Sequence, residues 1–306
     1  MERRIFGCSE ALQPPSGPQA SYLVAMIKVD FQSDWKTFLE QDMMTYGLRY
    51  DTGQSLEDNT LRYLNAKRRI APRTGRKVHE SKELLIPKQH STDYSLLKKL
   101  IEEGGNLEPY LSRDILKNRA DKNDGLLNAW GIQHLHFQPQ GTADVLFVKI
   151  TDRDVFVIQS FPHGSSDPDV WVNPLLLQIL HDNWPEIAAG KVVELQDESL
   201  TPERRTSLRH RNVNFTTAVS DGTIYLAPGG GVTSSGNCSF DVCDTDKIFA
   251  YLDYWQRLLE ANEKVFRSAL AIPLGDEFSI KMMFQNRQCW LYEPVRGVRL
   301  GITLKQ

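Results

Sequence analysis

Long apolar runs, an excess of one charge sign and a cysteine framework are all missing from this chain of 306 residues. No stretch reaches the ~20 apolar residues of a membrane-spanning helix. The apolar segments at residues 27–31 and 146–161 are interrupted by charge, so no membrane association is expected. The opening Met-Glu-Arg-Arg-Ile-Phe-Gly-Cys leads into no apolar run of signal-peptide length, and the expected location is the cytoplasm. A net charge of -3 rules out a protein coated in basic residues; contact with nucleic acid has to come from local patches. Only four cysteines are present, Cys8, Cys238, Cys243 and Cys289. Cys238 and Cys243 lack a second pair to complete a zinc site, so reduced thiols are expected, with no metal and no cofactor. No internal repeat and no long low-complexity run is visible.

What is present is an ordinary globular composition, 41% hydrophobic and 25% charged, on a chain long enough for two modest domains. Pro14, Pro15, Ser16, Gly17 and Pro18 mark the first twenty or so residues as a disordered tail. Trp35, Phe38, Leu39 and Met43 then recur at helical spacing, and Leu61, Tyr63 and Leu64 fall in a second helix over 56–69. Pro72 and Gly75 make residues 67–77 a basic loop. Asp93 is an N-cap for a helix over 94–103 carrying Leu96, Leu97, Leu100 and Ile101, with Gly104-Gly105-Asn106 at its end. A short helix is read over 107–117, and Leu126 to Trp130 lead into Gly131. Leu175, Leu176, Ile179 and Leu180 mark a helix over 173–183, before Pro185.

Beyond about residue 200 the pattern reads as strands over 212–217, 223–227, 279–285, 288–293 and 298–304, with one long helix over 246–269. The expected fold class is α+β. A tail (1–20) precedes a helical region with the basic loop (21–92), a small helix-and-antiparallel-sheet core (93–190) and a C-terminal α+β domain (200–306).

Seven histidines are present and three of them, His134, His136 and His163, cluster on or just after neighbouring expected strands of this core, alongside Lys149. Ile132, His134 and His136 alternate with Gln133, Leu135 and Phe137, the period-two pattern of a strand, so His134 and His136 share a face. Residues 145–150 and 155–161 form a hairpin around the polar turn Thr151-Asp152-Arg153-Asp154. Lys149 faces opposite to Val148, and His163 lies in phase with Gln159 and Phe161. Imidazole takes and gives protons near neutral pH. A convergent set suits phosphodiester cleavage: one imidazole deprotonates a ribose 2′-hydroxyl, another protonates the leaving 5′-oxygen, and Lys149 or Arg153 stabilises the phosphorane. The alternative is that His134 and His136 are half-buried strand residues bonded to backbone.

The stretch Gly-Ile-Gln-His-Leu-His-Phe, followed by Asp-Val-Leu-Phe-Val-Lys-Ile-Thr-Asp-Arg-Asp-Val-Phe-Val-Ile-Gln-Ser-Phe-Pro-His, resembles the core of the RelE-type toxin fold. That is a small ribonuclease fold shared by several bacterial toxin families. The resemblance covers residues 94–163, about a quarter of the chain, and rests on element order and pattern. It implies a metal-independent endoribonuclease, of the kind found among bacterial toxins and phage-defence components, with RNA as substrate and an antitoxin or other protein as partner. By position it implies His134, His136, Lys149 and His163 as catalytic residues. The arginine and tyrosine usual near the end of that fold are not evident; Arg153 sits on the turn.

Two basic stretches are candidate phosphate contacts: Lys67, Arg68, Arg69, Arg73, Arg76 and Lys77, and Arg204-Arg205 with Arg209-His210-Arg211. Arg153 joins the first set. A solvated surface run is the plainer reading of both. The loop Pro228-Gly229-Gly230-Gly231 fails the phosphate-loop template because no lysine follows and the next helix is distant; close backbone packing or a flexible turn is expected. Tyr251, Tyr254 and Trp255 read as core packing, and Asp241, Asp244 and Asp246 fit neither an EF-hand nor a paired-carboxylate site. The reading beside the enzyme is a non-catalytic module that binds nucleic acid or protein, and behind it a structural or assembly protein.

Overall fold

A computed structural model describes residues 2–3, 27–112, 124–192, 200–285 and 288–304. The chain divides into two units, Met1–Thr60 with Asp244–Gln306, and Leu61–Cys243. The fold is mixed α+β with several small sheets. The expected tail lies outside the described residues except for the strand β1 (Glu2–Arg3). After β2 (Ile27–Lys28), helix α1 (Phe31–Thr45) starts where the Asp30 carboxylate accepts the Ser33 N–H at 2.9 Å. Phe31, Trp35, Leu39 and Met43, four apart, bury one face of α1. The Trp35 indole N–H donates to Thr60 Oγ1 at 2.9 Å in α2 (Leu56–Arg69), which keeps its expected bounds.

The segment expected as a basic loop is more ordered than its sequence implies. Lys67 to Arg69 form the last turn of α2, and Lys77 opens a strand, β3 (Lys77–Glu80). Helix α3 (Ser91–Glu102) starts before the expected Asp93 cap, which lies in the first turn instead. Residues 108–110 make a 3-10 turn, and the rest of the expected 107–117 helix falls almost wholly outside the described residues. Helix α4 (Gly125–Trp130) is capped by the Asp124 carboxylate, which accepts the Leu126 and Leu127 N–H groups. Gly131, at φ 70°, ends it and turns the chain into β4 (Gln133–His136).

Strands β5 (Asp144–Ile150) and β6 (Asp154–Pro162) form the expected hairpin, with β4 antiparallel to β5 and β3 parallel to β6. The sheet order is β3-β6-β5-β4. A register shift at Phe147/Val148 takes Gln159 out of phase; its side chain bonds Glu83 O and the Leu85 N–H. The core on one face holds Trp130, Ile132, Val145, Phe147 and Ile158, packed with Leu176 and Leu180 of α5 (Leu175–Asn183). Each such side chain contributes about 1.5–3 kcal/mol by leaving water. The unit is completed by β7 (Lys191–Val192), α6 (Pro202–His210), β8 (Thr216–Ala218) and β9 (Ile224–Leu226), with sheet order β7-β9-β8. The expected strand over 212–217 is thus shortened, and Asn212 has φ 56°.

The expected boundaries at 92/93 and 190/200 both fall inside this unit, and the correction has a physical cause. Residues before 93 supply β3, the sheet's edge strand beside β6, while the residues beyond 200 supply α6, β8 and β9 to the same unit.

Helix α7 (Ser239–Ala261) starts seven residues before the expected 246 and breaks at Asn262. The Asn262 side chain donates to Leu258 O at 2.8 Å, and α8 (Glu263–Ala269) follows. The expected strand over 279–285 is split into β10 (Phe278–Ser279) and β11 (Lys281–Gln285) at Ile280, whose N–H donates to Lys28 O. Strands β12 (Gln288–Glu293) and β13 (Val298–Leu304) keep their expected bounds, and that sheet runs β1-β13-β12-β11. Among the described residues no helix is long and apolar enough to cross a membrane.

Candidate functional site

The alternation of β4 puts His134 and His136 on one face of the edge strand, opposite Phe147 and Val145 of β5. His163 follows β6 at the same end of the sheet, where Asp144 pairs with Pro162. The His136 and His163 rings come within 5.2 Å, and the His134 and His136 rings within 6.0 Å. Trp171, in the 3-10 turn Val170–Val172, packs edge-on to His134 at 4.8 Å and to His163 at 5.8 Å. Three of the four residues expected from sequence therefore meet, around a tryptophan that sequence reasoning did not single out.

The loop from 137 to 143 gives two of these rings opposite tautomers. The Thr142 N–H donates to His136 Nδ1 at 2.9 Å, so the neutral ring keeps its proton on Nε2. Thr142 O lies 3.2 Å from the same Nδ1 and can accept from it when the ring gains a second proton. His163 Nδ1 donates to Ala143 O at 2.7 Å, which leaves the Nε2 lone pair of the neutral ring open. The loop is itself braced: Thr142 Oγ1 accepts the Phe137 N–H and donates to Asp144 O. One ring thus offers a proton donor and its neighbour a base. His136 is 8% exposed and His163 half-buried.

His134 plays a different part. Burial pushes its pKa down to about 4, and the Asp124 charge offsets only part of that. It is neutral near pH 7 and is read here as a wall of the site. Lys149 shares the same face of the sheet but extends to Gly131, where an added Cβ would lie 2.6 Å from Nζ. Burial lowers the Lys149 pKa, and among the described residues the ammonium has no hydrogen-bond or ion-pair partner.

The basic residues divide into buried and exposed sets. Arg69 is 2% and Arg76 5% exposed. Arg76 donates to Thr151 O, Pro72 O and Thr74 O at 2.8–3.0 Å, tying the loop to the hairpin turn. Arg68 pairs with Asp241 at 3.1 Å and with Asn128, and Lys67 lies over the Tyr63 ring at 5.2 Å. Arg73, Lys77 and Arg153 remain exposed. Lys77 and Arg153 sit at the turn end of the hairpin, and the length of β5 puts that end about 20 Å from the histidines. In α6 and just beyond it, Arg205 is buried against Thr217 and Leu200 O, while Arg204, His210 and Arg211 are exposed. Arg209 donates to Trp171 O.

The glycine loop packs closely, as expected. The Gly229 and Gly231 N–H groups donate to Ala129 O and Asn128 O of α4, and a Cβ on Gly229 would overlap the carbonyls of Leu127 and Asn128. Among the described residues no three His, Cys, Asp or Glu side chains come together as a metal-ligand set. No protein-family model, no curated protein and no solved structure matches the chain.

Proposed function

We propose that the chain is a metal-independent endoribonuclease with a RelE-like core, in which His163 is the general base and His136 the general acid. The observation that carries this reading is the pair of opposite tautomers on adjacent rings. His163 Nε2 takes the proton of a ribose 2′-hydroxyl, the 2′-oxygen attacks phosphorus, and the 5′-oxygen leaves with a proton from Nε2 of the doubly protonated His136, whose Nδ1–H is held by Thr142 O and which is left neutral. The products are a 2′,3′-cyclic phosphate and a 5′-hydroxyl. The core is supported by the order of elements, α3, α4, β4 and the β5–β6 hairpin. A toxin or phage-defence role, with a protein partner restraining the enzyme, belongs to the same proposal.

The test is the chemistry of the cut ends. RNA incubated with the protein in EDTA should give 2′,3′-cyclic phosphate ends, and a single 2′-deoxy substitution at the cut position should stop cleavage there. Cleavage that leaves 5′-phosphate ends, or that ignores the deoxy substitution, contradicts the mechanism.

A second reading, a non-catalytic module that binds nucleic acid, is favoured by one observation. The exposed cations Lys77 and Arg153 lie at the opposite end of the sheet from the histidines. A module of that kind binds RNA at those residues and leaves it intact.

A further inference from the structure

The sheet β1-β13-β12-β11 belongs to the unit that lacks the histidines, and it has one covered and one open face. Its residues alternate. Met282, Leu291 and Leu300 are buried register partners, while Lys281, Met283, Trp290, Tyr292 and Arg299 point the other way and are exposed or half-buried. Helices cover the buried side. Trp35 and Phe38 of α1 pack on Phe284 at 5.1 and 5.4 Å, and the Tyr251 hydroxyl of α7 lies 3.6 Å from Cys289 Sγ. Among the described residues, Trp290, Tyr292 and Met283 have no ring contact or hydrogen bond with a helix.

The open face interleaves rings with cations. Trp290 and Tyr292 are two residues apart on β12, so their rings rise from the sheet roughly 7 Å apart. Tyr292 has Lys281 of β11 and Arg299 of β13 as its register partners, which places a cation about one strand spacing away on either side. The Arg299 guanidinium lies over the Trp290 ring at 4.5 Å. Lys281 feels the charge of Asp34, whose carboxylate is occupied by the Met282 N–H at 2.8 Å.

The water-facing side of an antiparallel sheet is ordinarily polar. Aromatic rings and a methionine grouped there mark an interaction surface, and the cations among them select the partner. It must offer flat apolar faces together with repeated negative charge. A duplex hides the faces of its bases and an uncharged sugar chain makes no use of the cations. A single strand of nucleic acid supplies both, since its bases stack on aromatic rings and on guanidinium planes while its phosphates meet Lys and Arg.

We propose that this open face binds single-stranded nucleic acid, with bases stacked on Tyr292 and on the Trp290–Arg299 pair and the phosphates between them held by Lys281 and Arg299. The site goes beyond the cleavage reading and does not depend on it, because it needs neither His136 nor His163.

Fluorescence anisotropy of the full chain with short labelled strands of 2′-O-methyl oligouridine and of oligothymidine tests it. Neither strand carries the 2′-hydroxyl that cleavage consumes, so binding is read apart from catalysis. Both should bind saturably, the tighter one naming RNA or DNA as the source, and a duplex of the same length should bind at least about tenfold more weakly. Trp290→Ala and Tyr292→Ala should each weaken binding roughly 5- to 150-fold, with Tyr292→Phe close to wild type because the ring carries the stack. Lys281→Ala with Arg299→Ala should flatten the slope of log affinity against log salt by about 1.4, some 0.7 for each phosphate released. Met283→Glu alters only a side chain 42% exposed, so it keeps the fold should a ring deletion not do so. Its carboxylate should repel the strand and weaken binding at least about tenfold. Met44→Glu makes the same change at a position 63% exposed on α1, the helix of the covered side, and should leave affinity within about twofold. Equal binding of strand and duplex, wild-type affinity in Trp290→Ala or in Met283→Glu, or no saturable binding of either strand, as for a face that docks protein, overturns the site.

Discussion

His136 and His163 stand 5.2 Å apart with opposite ring nitrogens committed to the backbone, Nδ1 of His136 accepting from Thr142 and Nδ1 of His163 donating to Ala143. Consecutive residues of one loop thus set both tautomers. In ¹⁵N NMR spectra of the neutral rings, His136 should appear as the Nε2–H form and His163 as the Nδ1–H form. The same tautomer in both rings would remove the division of labour between donor and base.

His134 ties stability to pH. Its folded pKa of about 4 lies below the ordinary 6.5. Below pH 6.5 the unfolded chain therefore takes up a proton that the folded chain refuses, and stability falls as the pH drops toward 4. The loss is at most about 3 kcal/mol. Chemical denaturation at pH 7 and pH 4.5 should show this dependence, and His134→Gln should flatten it while leaving RNA cleavage within about tenfold of wild type. An unchanged pH dependence in His134→Gln would mean that other groups carry it.

The buried and the exposed basic residues of segment 73–77 should behave in opposite ways. Arg76→Ala removes one carbonyl contact to the hairpin turn and two within the loop, and should cost about 2–3 kcal/mol in a urea melt. Arg73→Ala with Lys77→Ala should leave the melt unchanged, and should flatten the salt dependence of RNA binding by one to two units where the exposed pair tracks phosphates. A stable Arg76→Ala protein would refute the structural role assigned to that side chain.

Gly229→Ala should destabilise the chain by about 3 kcal/mol or more, because the new Cβ has only the α4 carbonyls to move into. A melting temperature within a degree or two of wild type would show that the loop is not packed there.

The hairpin and the shared face of His134 and His136 were legible because period-two alternation over 132–137 and two apolar runs around a polar turn admit few other structures. Strand β3 was not: Lys77-Val78-His79-Glu80 has no apolar alternation, and it is a strand only because it pairs in parallel with β6. Arg69 and Arg76 read as solvated cations, yet arginine enters a protein interior when it finds acceptors, and one of those of Arg76, Thr151 O, belongs to a turn 75 residues away. The tautomers of His136 and His163 were invisible for the same reason. They depend on the path of the loop before Asp144, and Trp171 reaches the cluster through a turn whose sequence carries no periodic signal. The break at Asn262 was hidden by apolar spacing that continues across it into α8.

Single-turnover cleavage of RNA in EDTA by wild type, His136→Ala, His163→Ala and the double variant bears most directly on the paired-imidazole mechanism. Expected is cleavage by wild type, a loss of roughly 10²–10⁴-fold in each single variant, and little further loss in the double variant, since the two rings act as a unit. No cleavage by wild type, or wild-type rates in His163→Ala, would contradict it.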